Sequence, residues 1–130
     1  MSLLQVNNLH ISFNTSNGIV EAVKGISFTL NNGESVGIVG ESGSGKSVTA
    51  LSLLRLLARN AKVDGEILFS QNDNSTVDLL KLNPEEMRSH RGKSLAIIFQ
   101  EPATSLNPVY RCGNQVSEAI ILHKKLSKKE

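Results

Sequence analysis

The first thirty residues carry apolar side chains in short runs that predict β-strands. Apolar positions recur from Leu3 to Phe13. The pair Asn17-Gly18 follows, and Asn-Gly between two apolar segments favours the tight turn of a β-hairpin. Ile19–Val23 is the predicted return strand, and Ile26–Leu30, which alternates with a period of two, is a predicted third strand. The chain thus begins with three predicted antiparallel strands.

Two predicted elements flank a glycine-rich stretch further along the chain. Before it, the largely apolar segment Glu34–Val39 predicts a strand buried as in a parallel sheet. After it, apolar residues at helical spacing predict a helix from Ser47 to about Arg59. The apolar stripe of this helix is wide, which implies burial on more than one side. This strand therefore starts an α/β core.

The second half of the chain predicts short strands and two further helices. Asn83 followed by Pro84 predicts a helix start, because Asn accepts hydrogen bonds from the first helical amides and Pro fits the first turn. Gly92 is expected to end this helix. Val116 and Ile120 share one face of a predicted final helix. The other predicted elements are the strands Glu66–Phe69, Val77–Leu80 and Ser94–Phe99, and an exposed loop from Gln100 to Pro108.

Composition indicates one globular domain or part of one. The 130 residues are 39% hydrophobic and carry a net charge of +2. Four Lys and one Glu in the last ten residues contribute +3 of that charge, so the remainder is nearly neutral, which argues against nucleic acid as the main partner. The lone Cys112 excludes an internal disulfide and is compatible with a reducing cytosol. We find no apolar run long enough to span a membrane and no signal-peptide pattern, so neither is expected.

The glycine-rich stretch contains the phosphate-loop pattern G-x-x-x-x-G-K-[ST]. Glycines suit such a loop because its backbone N–H groups turn inward and approach phosphate oxygens closely. The first amides of the following helix point at the same phosphates. We expect Lys46 to reach the β- and γ-phosphates and the Ser47 hydroxyl to hold Mg²⁺. The predicted phosphate-binding residues are Gly40, Ser42, Gly43, Ser44, Gly45, Lys46 and Ser47. The alternative, a flexible Gly/Ser connection, has no need of Lys46-Ser47 at a helix start.

The sequence around this loop resembles the ATP-binding subunits of ABC transporters. The loop alone indicates only a P-loop NTPase. The stretch Gln100-Glu101-Pro102, followed by Thr104-Ser105-Leu106-Asn107-Pro108, is similar to the importer branch for peptides, nickel and glutathione, the dipeptide/oligopeptide permease ATPases. The resemblance covers essentially all 130 residues. It implies an α/β fold: the P-loop NTPase core of an ABC ATPase with an N-terminal antiparallel β-subdomain.

The resemblance also implies how the chain is divided and what it lacks. Residues 1–33 would form the β-subdomain, 34–110 the core from phosphate loop to glutamine loop, and 111–130 the start of a helical region. The family's Leu-Ser-Gly-Gly-Gln signature, Asp-Glu strand end and switch histidine do not occur here. The chain is therefore expected to be the N-terminal part of one nucleotide-binding domain, incomplete because it stops after the glutamine loop, and no general base can be named.

Four residues outside the loop motif receive roles from the resemblance. Gln100 is similar to the glutamine that contacts Mg²⁺ and the water near the γ-phosphate; alternatively, it is a polar residue that ends a strand. Phe13 stands where the family places an aromatic that stacks on adenine, and its alternative role is in the core. Ala22 would line the floor of the adenine site. Val48 stands where many members have Thr, so a contact to the α-phosphate there would come from its backbone N–H.

Three functions are compatible with the sequence. The first, implied by the resemblance, is the ATP-binding subunit of an importer at the cytoplasmic face of the membrane, which binds ATP and Mg²⁺ and works with permease subunits and a second ATPase subunit. The second is a nucleotide-binding module without hydrolysis, which we favour for the isolated chain. The third is another P-loop ATPase. In the class it resembles, later sequence supplies strands between residues 36–39 and 95–99, so we expect both segments to have open edges and the isolated chain to self-associate.

Overall fold

The computed structural model of the chain describes residues 2–71, 73, 75–99 and 106–124, leaving aside the side chains at 119 and 123. The chain divides into two compact units, Met1–Met87 and Arg88–Glu130. Each unit is described by itself below.

A four-stranded antiparallel sheet forms the centre of the first unit. The strands are β1 (Ser2–Thr15), β2 (Gly18–Asn31), β3 (Ala61–Ser70) and β4 (Thr76–Asp78). Their order in the sheet is β2-β1-β3-β4. The predicted hairpin between β1 and β2 is confirmed, and the Thr15 hydroxyl closes its turn by donating to the Gly18 carbonyl at 2.7 Å. The sheet thus combines residues from both sides of the phosphate loop, and the expected division at residues 33 and 110 stays a prediction.

The prediction of three leading strands is wrong, because Ile19–Val23 and Ile26–Leu30 form one strand, β2. Gly25, between them, has φ +75° and takes up a shift in register instead of making a turn. A Cβ at Gly25 would lie 2.9 Å from the side-chain oxygen of Asn8 on β1. The third strand beside β1 is β3, from later in the chain.

A β-bulge in β1 explains why its apolar positions alternate poorly. Leu4 and Val6 are buried at even positions, whereas Leu9 and Ile11 are buried at odd positions. The pairing with β2 shifts between Val6 and Leu9, and Asn8 has φ +47°. One extra residue in the strand restores the alternation on the same face. The core of the unit therefore remains continuous; its other buried apolar residues are Val23, Leu54, Ile67, Phe69, Leu79 and Met87.

The helices agree with the sequence in position more than in length. Helix α1 (Lys46–Leu53) is shorter than predicted, since Arg55 takes a left-handed conformation with φ +51° just after it. The guanidinium of Arg55 donates to the carbonyls of Leu79 and Leu82, so the chain turns away from the helix axis there. The two other helices are α2 (Pro84–His90) and α3 (Cys112–Lys124).

Two predicted strands do not form in the described residues. Glu34–Val39 and Ser94–Phe99 have no strand partner among the described residues beyond a single bridge between Arg91 and Leu95. Most of their apolar side chains are exposed, with Val39 at 92% and Ile98 at 98%. A strand exists only when its backbone groups pair with a neighbour, and no described strand lies beside either segment. Both segments thus lack strand partners among the described residues, and because neither forms a strand, the expectation of open strand edges stays a prediction.

Candidate nucleotide-binding site

The loop from Gly40 to Ser47 is shaped by glycines at crowded or left-handed positions. Gly45, the N-cap of α1, has φ +89°, and a Cβ there would lie 2.5 Å from the Ala22 carbonyl oxygen. A Cβ at Gly40 would lie 2.6 Å from the Ser44 hydroxyl. A contact below 3.0 Å forces a neighbour to shift, which is costly at Gly45, where the neighbour is backbone, and cheaper at Gly40, where it is a side-chain hydroxyl. Gly45 is therefore required here by the protein itself, before any phosphate is bound.

Lys46 reaches back over the loop that precedes it. Its ammonium donates to the carbonyls of Gly40 at 2.8 Å and Glu41 at 2.6 Å, and to the Ser44 hydroxyl at 3.4 Å. The loop has one further backbone bond, from Ser44 N–H to the Glu41 carbonyl at 3.2 Å. A positive charge is thus fixed at the loop. The role of Glu41 as an acceptor for Lys46 could not be predicted from the sequence, because only its backbone carbonyl takes part.

The start of α1 leaves a site for an anion. No side chain caps this helix end, and its first turn has no acidic residue. The first amides of a helix lack partners within the helix, and the positive end of its dipole attracts anions. Thr49 N–H donates to the Gly45 carbonyl at 2.8 Å and so begins the helical pattern. Ser47 is exposed at the second helical position and Val48 is half-buried.

The structure brings Ala22 to the phosphate loop. The register between β1 and β2 passes from Ile11–Val23 to Ser12–Glu21, so Ala22 is the extra residue of a bulge. Its carbonyl faces Gly45, as the distance from the ideal Cβ shows. This contact depends on pairing between strands, so the sequence resemblance could place Ala22 at the adenine site but could not explain why it lies there.

Phe13 lies near the turn of the same hairpin. It pairs with Val20 across the strands and is half-buried. Ile19 and Val20 beside it are 71% and 54% exposed, so the hairpin end has an apolar surface. Gln100, predicted to contact Mg²⁺ and the attacking water, lies outside the described residues. The structure therefore brings together the loop residues and Ala22, and leaves the roles of Phe13 and Gln100 as predictions.

A raised lysine pKa is found outside this loop, at the ion pair between Asp78 and Lys81. Asp78 accepts hydrogen bonds from the backbone of Ile67 at 3.3 Å and Leu80 at 3.1 Å, and its other oxygen lies 3.0 Å from the Lys81 ammonium. The carboxylate of Asp78 raises the pKa of Lys81, mainly by accepting its hydrogen bond and further by its negative charge.

In the described residues, no group of three or more His, Cys, Asp or Glu side chains has the arrangement of a metal site. None of the described helices is both long and apolar enough to cross a membrane.

A glycine-rich loop that leads into a helix beginning with Lys defines a phosphate-binding-loop protein. The model of the ABC transporter family matches residues 23–129. The chain is 51% identical to the dipeptide transport ATP-binding protein DppD of Bacillus subtilis, over 98% of this chain and 37% of that protein. It is 46% identical to the oligopeptide transport ATP-binding protein OppD of Salmonella typhimurium, over 98% and 37%. The glutathione import ATP-binding protein GsiA of Escherichia coli is 44% identical, over 99% of this chain and 21% of that protein.

The chain belongs to the ABC transporter family. It spans 37% of the length of the dipeptide and oligopeptide relatives that it matches.

Proposed function

We propose that the chain binds ATP at the loop from Gly40 to Ser47. The observation that carries the proposal is the Lys46 ammonium, fixed over the loop by two backbone carbonyls at the uncapped start of α1. A phosphate there would meet a positive charge and a set of backbone N–H donors together, which is the chemistry of phosphate cradles. Ser42, Gly43, Ser44, Gly45 and Val48 would contribute backbone donors, and Lys46 would contact the β- and γ-phosphates.

We further propose that Mg²⁺ enters with the nucleotide. The Ser47 hydroxyl is exposed at the second position of α1. Hydroxyl and phosphate oxygens are ligands that Mg²⁺ prefers, and the ion usually keeps several waters. Gln100 would add its side-chain oxygen, as the sequence resemblance implies. The ion would neutralise charge that develops on the phosphates during transfer.

The adenine is assigned to the turn end of the β1–β2 hairpin. Phe13 would offer its ring for stacking and Ala22, next to the loop, would line the floor of the site. Support comes from the contact between Ala22 and Gly45 and from the exposed apolar Ile19 and Val20 beside Phe13. An aromatic face and aliphatic neighbours suit a purine ring.

For the intact protein we propose an ATPase that drives import of peptides or a related small solute. The relatives named for dipeptide, oligopeptide and glutathione transport support this assignment. The protein would act at the cytoplasmic face of the membrane, with permease subunits and a second ATPase subunit. The isolated 130-residue chain is assigned nucleotide binding without hydrolysis, since it carries no Leu-Ser-Gly-Gly-Gln signature and no apolar strand that ends in Asp-Glu. Groups that orient the water and complete the γ-phosphate site are needed for turnover.

Calorimetry with Mg-ATP tests this proposal on the wild type and on Lys46→Ala, with phosphate release assayed in the same samples. We expect binding by the wild type, a loss of at least about tenfold in Lys46→Ala, and no turnover in either. Lys24→Ala is the matched control, because Lys24 is an exposed lysine on β2 outside the loop. Equal affinity in wild type and Lys46→Ala would contradict the site, and phosphate release above the buffer rate by the wild type would contradict binding without hydrolysis.

We also propose that the isolated chain self-associates through residues 34–40 and 96–99. Both segments are rich in apolar residues and without strand partners among the described residues. An unpaired segment of this kind is a template for pairing with another chain. A second copy supplies such a segment in solution.

A further inference from the structure

One side-chain amide in the second unit binds a whole turn of backbone. The Gln115 side-chain oxygen accepts from the N–H of Asn107 at 2.8 Å. Its nitrogen donates to the carbonyl of Asn107 at 2.9 Å and to that of Tyr110 at 3.0 Å. The Gln115 side chain thus pairs with both backbone polar groups of Asn107, its N–H and its carbonyl, as a residue of a neighbouring strand would. Three bonds from one amide leave little freedom for the loop that it contacts.

The loop Leu106–Tyr110 completes its own hydrogen bonding around this contact. The Asn107 side chain accepts from the N–H of Val109 at 3.0 Å, and the Asn107 carbonyl accepts from the N–H of Tyr110 at 3.2 Å. Pro108 has no N–H to satisfy. Every backbone donor from Asn107 to Tyr110 therefore has an acceptor, and the Asn107 donor depends on Gln115.

Burial does not hold this loop in place. Val109 is 83% exposed, Tyr110 64% and Leu106 42%. The first turn of α3 is also exposed on its surface. Exposed loops without apolar packing open readily. The amide of Gln115 is consequently the main constraint on the loop that the structure provides.

We propose that Gln115 is a positioning residue that fixes the loop Leu106–Tyr110 against the first turn of α3. Its effect on Gln100 rests on the proposed function, in which Gln100 contacts Mg²⁺ and the attacking water. Five residues lie between Gln100 and Leu106, so the two Cα atoms are at most about 22 Å apart. A loop anchored at its far end limits the positions that Gln100 can take.

Backbone amide exchange, followed by NMR on the 130-residue chain, tests the anchor directly. In Gln115→Ala, exchange of the Asn107 amide is expected to be roughly two- to tenfold faster, the effect of one lost hydrogen bond. Asn114→Ala removes the neighbouring amide of the same turn and is expected to leave that rate unchanged. An Asn107 rate in Gln115→Ala that equals the wild-type rate would overturn the proposal.

A second variant tests the donor role of the amide within one folded protein. In Gln115→Glu at neutral pH the carboxylate has no N–H for the carbonyls of Asn107 and Tyr110. Protonation near the ordinary Glu pKa of about 4.3 restores one donor. Tyr110 is the only tyrosine and the chain has no tryptophan, so the tyrosine fluorescence comes from this loop alone, and wild type and Gln115→Ala at each pH control for tumbling of the whole chain. Anisotropy is expected to rise as the pH falls in Gln115→Glu and to stay level in wild type and Gln115→Ala; a flat profile in Gln115→Glu would overturn the donor role.

Mg-ATP titrations on the same samples separate this proposal from the proposed function. Gln115→Ala is expected to keep its Mg-ATP affinity within about twofold of the wild type, because Lys46 and the phosphate loop supply most of the contacts and the proposed contact of Gln100 with Mg²⁺ is one ligand among several. If Asn107 exchanges faster in Gln115→Ala than in the wild type, but the wild type does not bind Mg-ATP, the nucleotide site is contradicted and the role of Gln115 is supported. Normal ATP binding with unchanged exchange in Gln115→Ala would do the reverse.

Discussion

Gly45 lies directly against the backbone of Ala22, and the two residues join the phosphate loop to the sheet. The ideal Cβ position of Gly45 is 2.5 Å from the Ala22 carbonyl oxygen and 3.1 Å from a methyl group of Val23. Ala22 reaches this point because it is the extra residue of a bulge in β2. Gly45, which the phosphate-loop motif requires for phosphate binding, is thus also needed for packing between α1 and β2.

Replacing Gly45 by Ala is expected to destabilise the first unit by about 2 kcal/mol and to abolish Mg-ATP binding. Two causes add here: the backbone has φ +89°, which disfavours a side chain, and the new methyl group meets a backbone oxygen that cannot move aside. Urea unfolding and calorimetry measure the two effects.

Two other glycines separate these causes. Gly43 has φ +81° but open space around its Cβ position, so Gly43→Ala should cost about 1 kcal/mol, from conformation alone. Gly37 has neither feature, and Gly37→Ala is expected to be nearly neutral. An equal loss of stability in Gly43→Ala and Gly45→Ala would show that the contact with Ala22 contributes nothing.

The start of α2 offers a test of a purely local prediction. The Asn83 side chain accepts from Glu86 N–H at 2.9 Å, and the Glu86 carboxylate accepts from Asn83 N–H at 2.8 Å. Asn83→Ala is expected to cost about 1 kcal/mol of unfolding free energy, because it leaves helical amides without a partner. Glu86→Gln keeps an acceptor oxygen and should cost less than Glu86→Ala. Thermal unfolding of the three variants that shows no such order would contradict the reciprocal bond.

The features that the sequence predicted correctly are those that depend on neighbouring residues. The Asn17-Gly18 hairpin and the end of α2 before Gly92 each follow from a few adjacent side chains, and the structure contains both. The predicted break between the strands Ile19–Val23 and Ile26–Leu30 is wrong because the role of Gly25 depends on Asn8, seventeen residues away on β1. The same holds for the contact between Ala22 and Gly45, which no pattern within either segment reveals. Position in a sheet is a long-range property, so periodicity can suggest a strand without saying what it pairs with.

The ion pair between Asp78 and Lys81 predicts a dependence of stability on alkaline pH. The pKa of Lys81 is raised above its ordinary value of 10.5 by the Asp78 carboxylate. Protonated Lys81 is therefore favoured by folding: its contribution is fully present below pH 10.5 and is lost as the pH rises through the raised pKa of the folded state. The difference in unfolding free energy between wild type and Lys81→Met should stay constant from pH 7 to about pH 10 and shrink above it. Lys24→Met, at an exposed position on β2, is expected to show no such trend in urea unfolding.

Self-association of the isolated chain is expected to depend on the two open segments. Light scattering at micromolar concentration should give the wild type at least twice the mass of one chain, 14.1 kDa. Val39→Lys and Ile98→Lys should shift the mass toward a single chain, because a charge on an edge opposes pairing. Both side chains are more than 90% exposed, so the substitutions cost the single chain little and the mass reports the interface rather than the fold.

Val109→Lys is the matched control for this experiment. Val109 is also apolar and 83% exposed, but it lies in the loop Leu106–Tyr110, outside both open segments. If all three Lys variants reduce the mass equally, general surface hydrophobicity drives the association and not strand pairing. If the wild type has the mass of one chain at every concentration, the open edges do not attract a second copy at all. A reduction confined to Val39→Lys and Ile98→Lys would place the contact at the two segments that have exposed apolar side chains and no strand partner among the described residues.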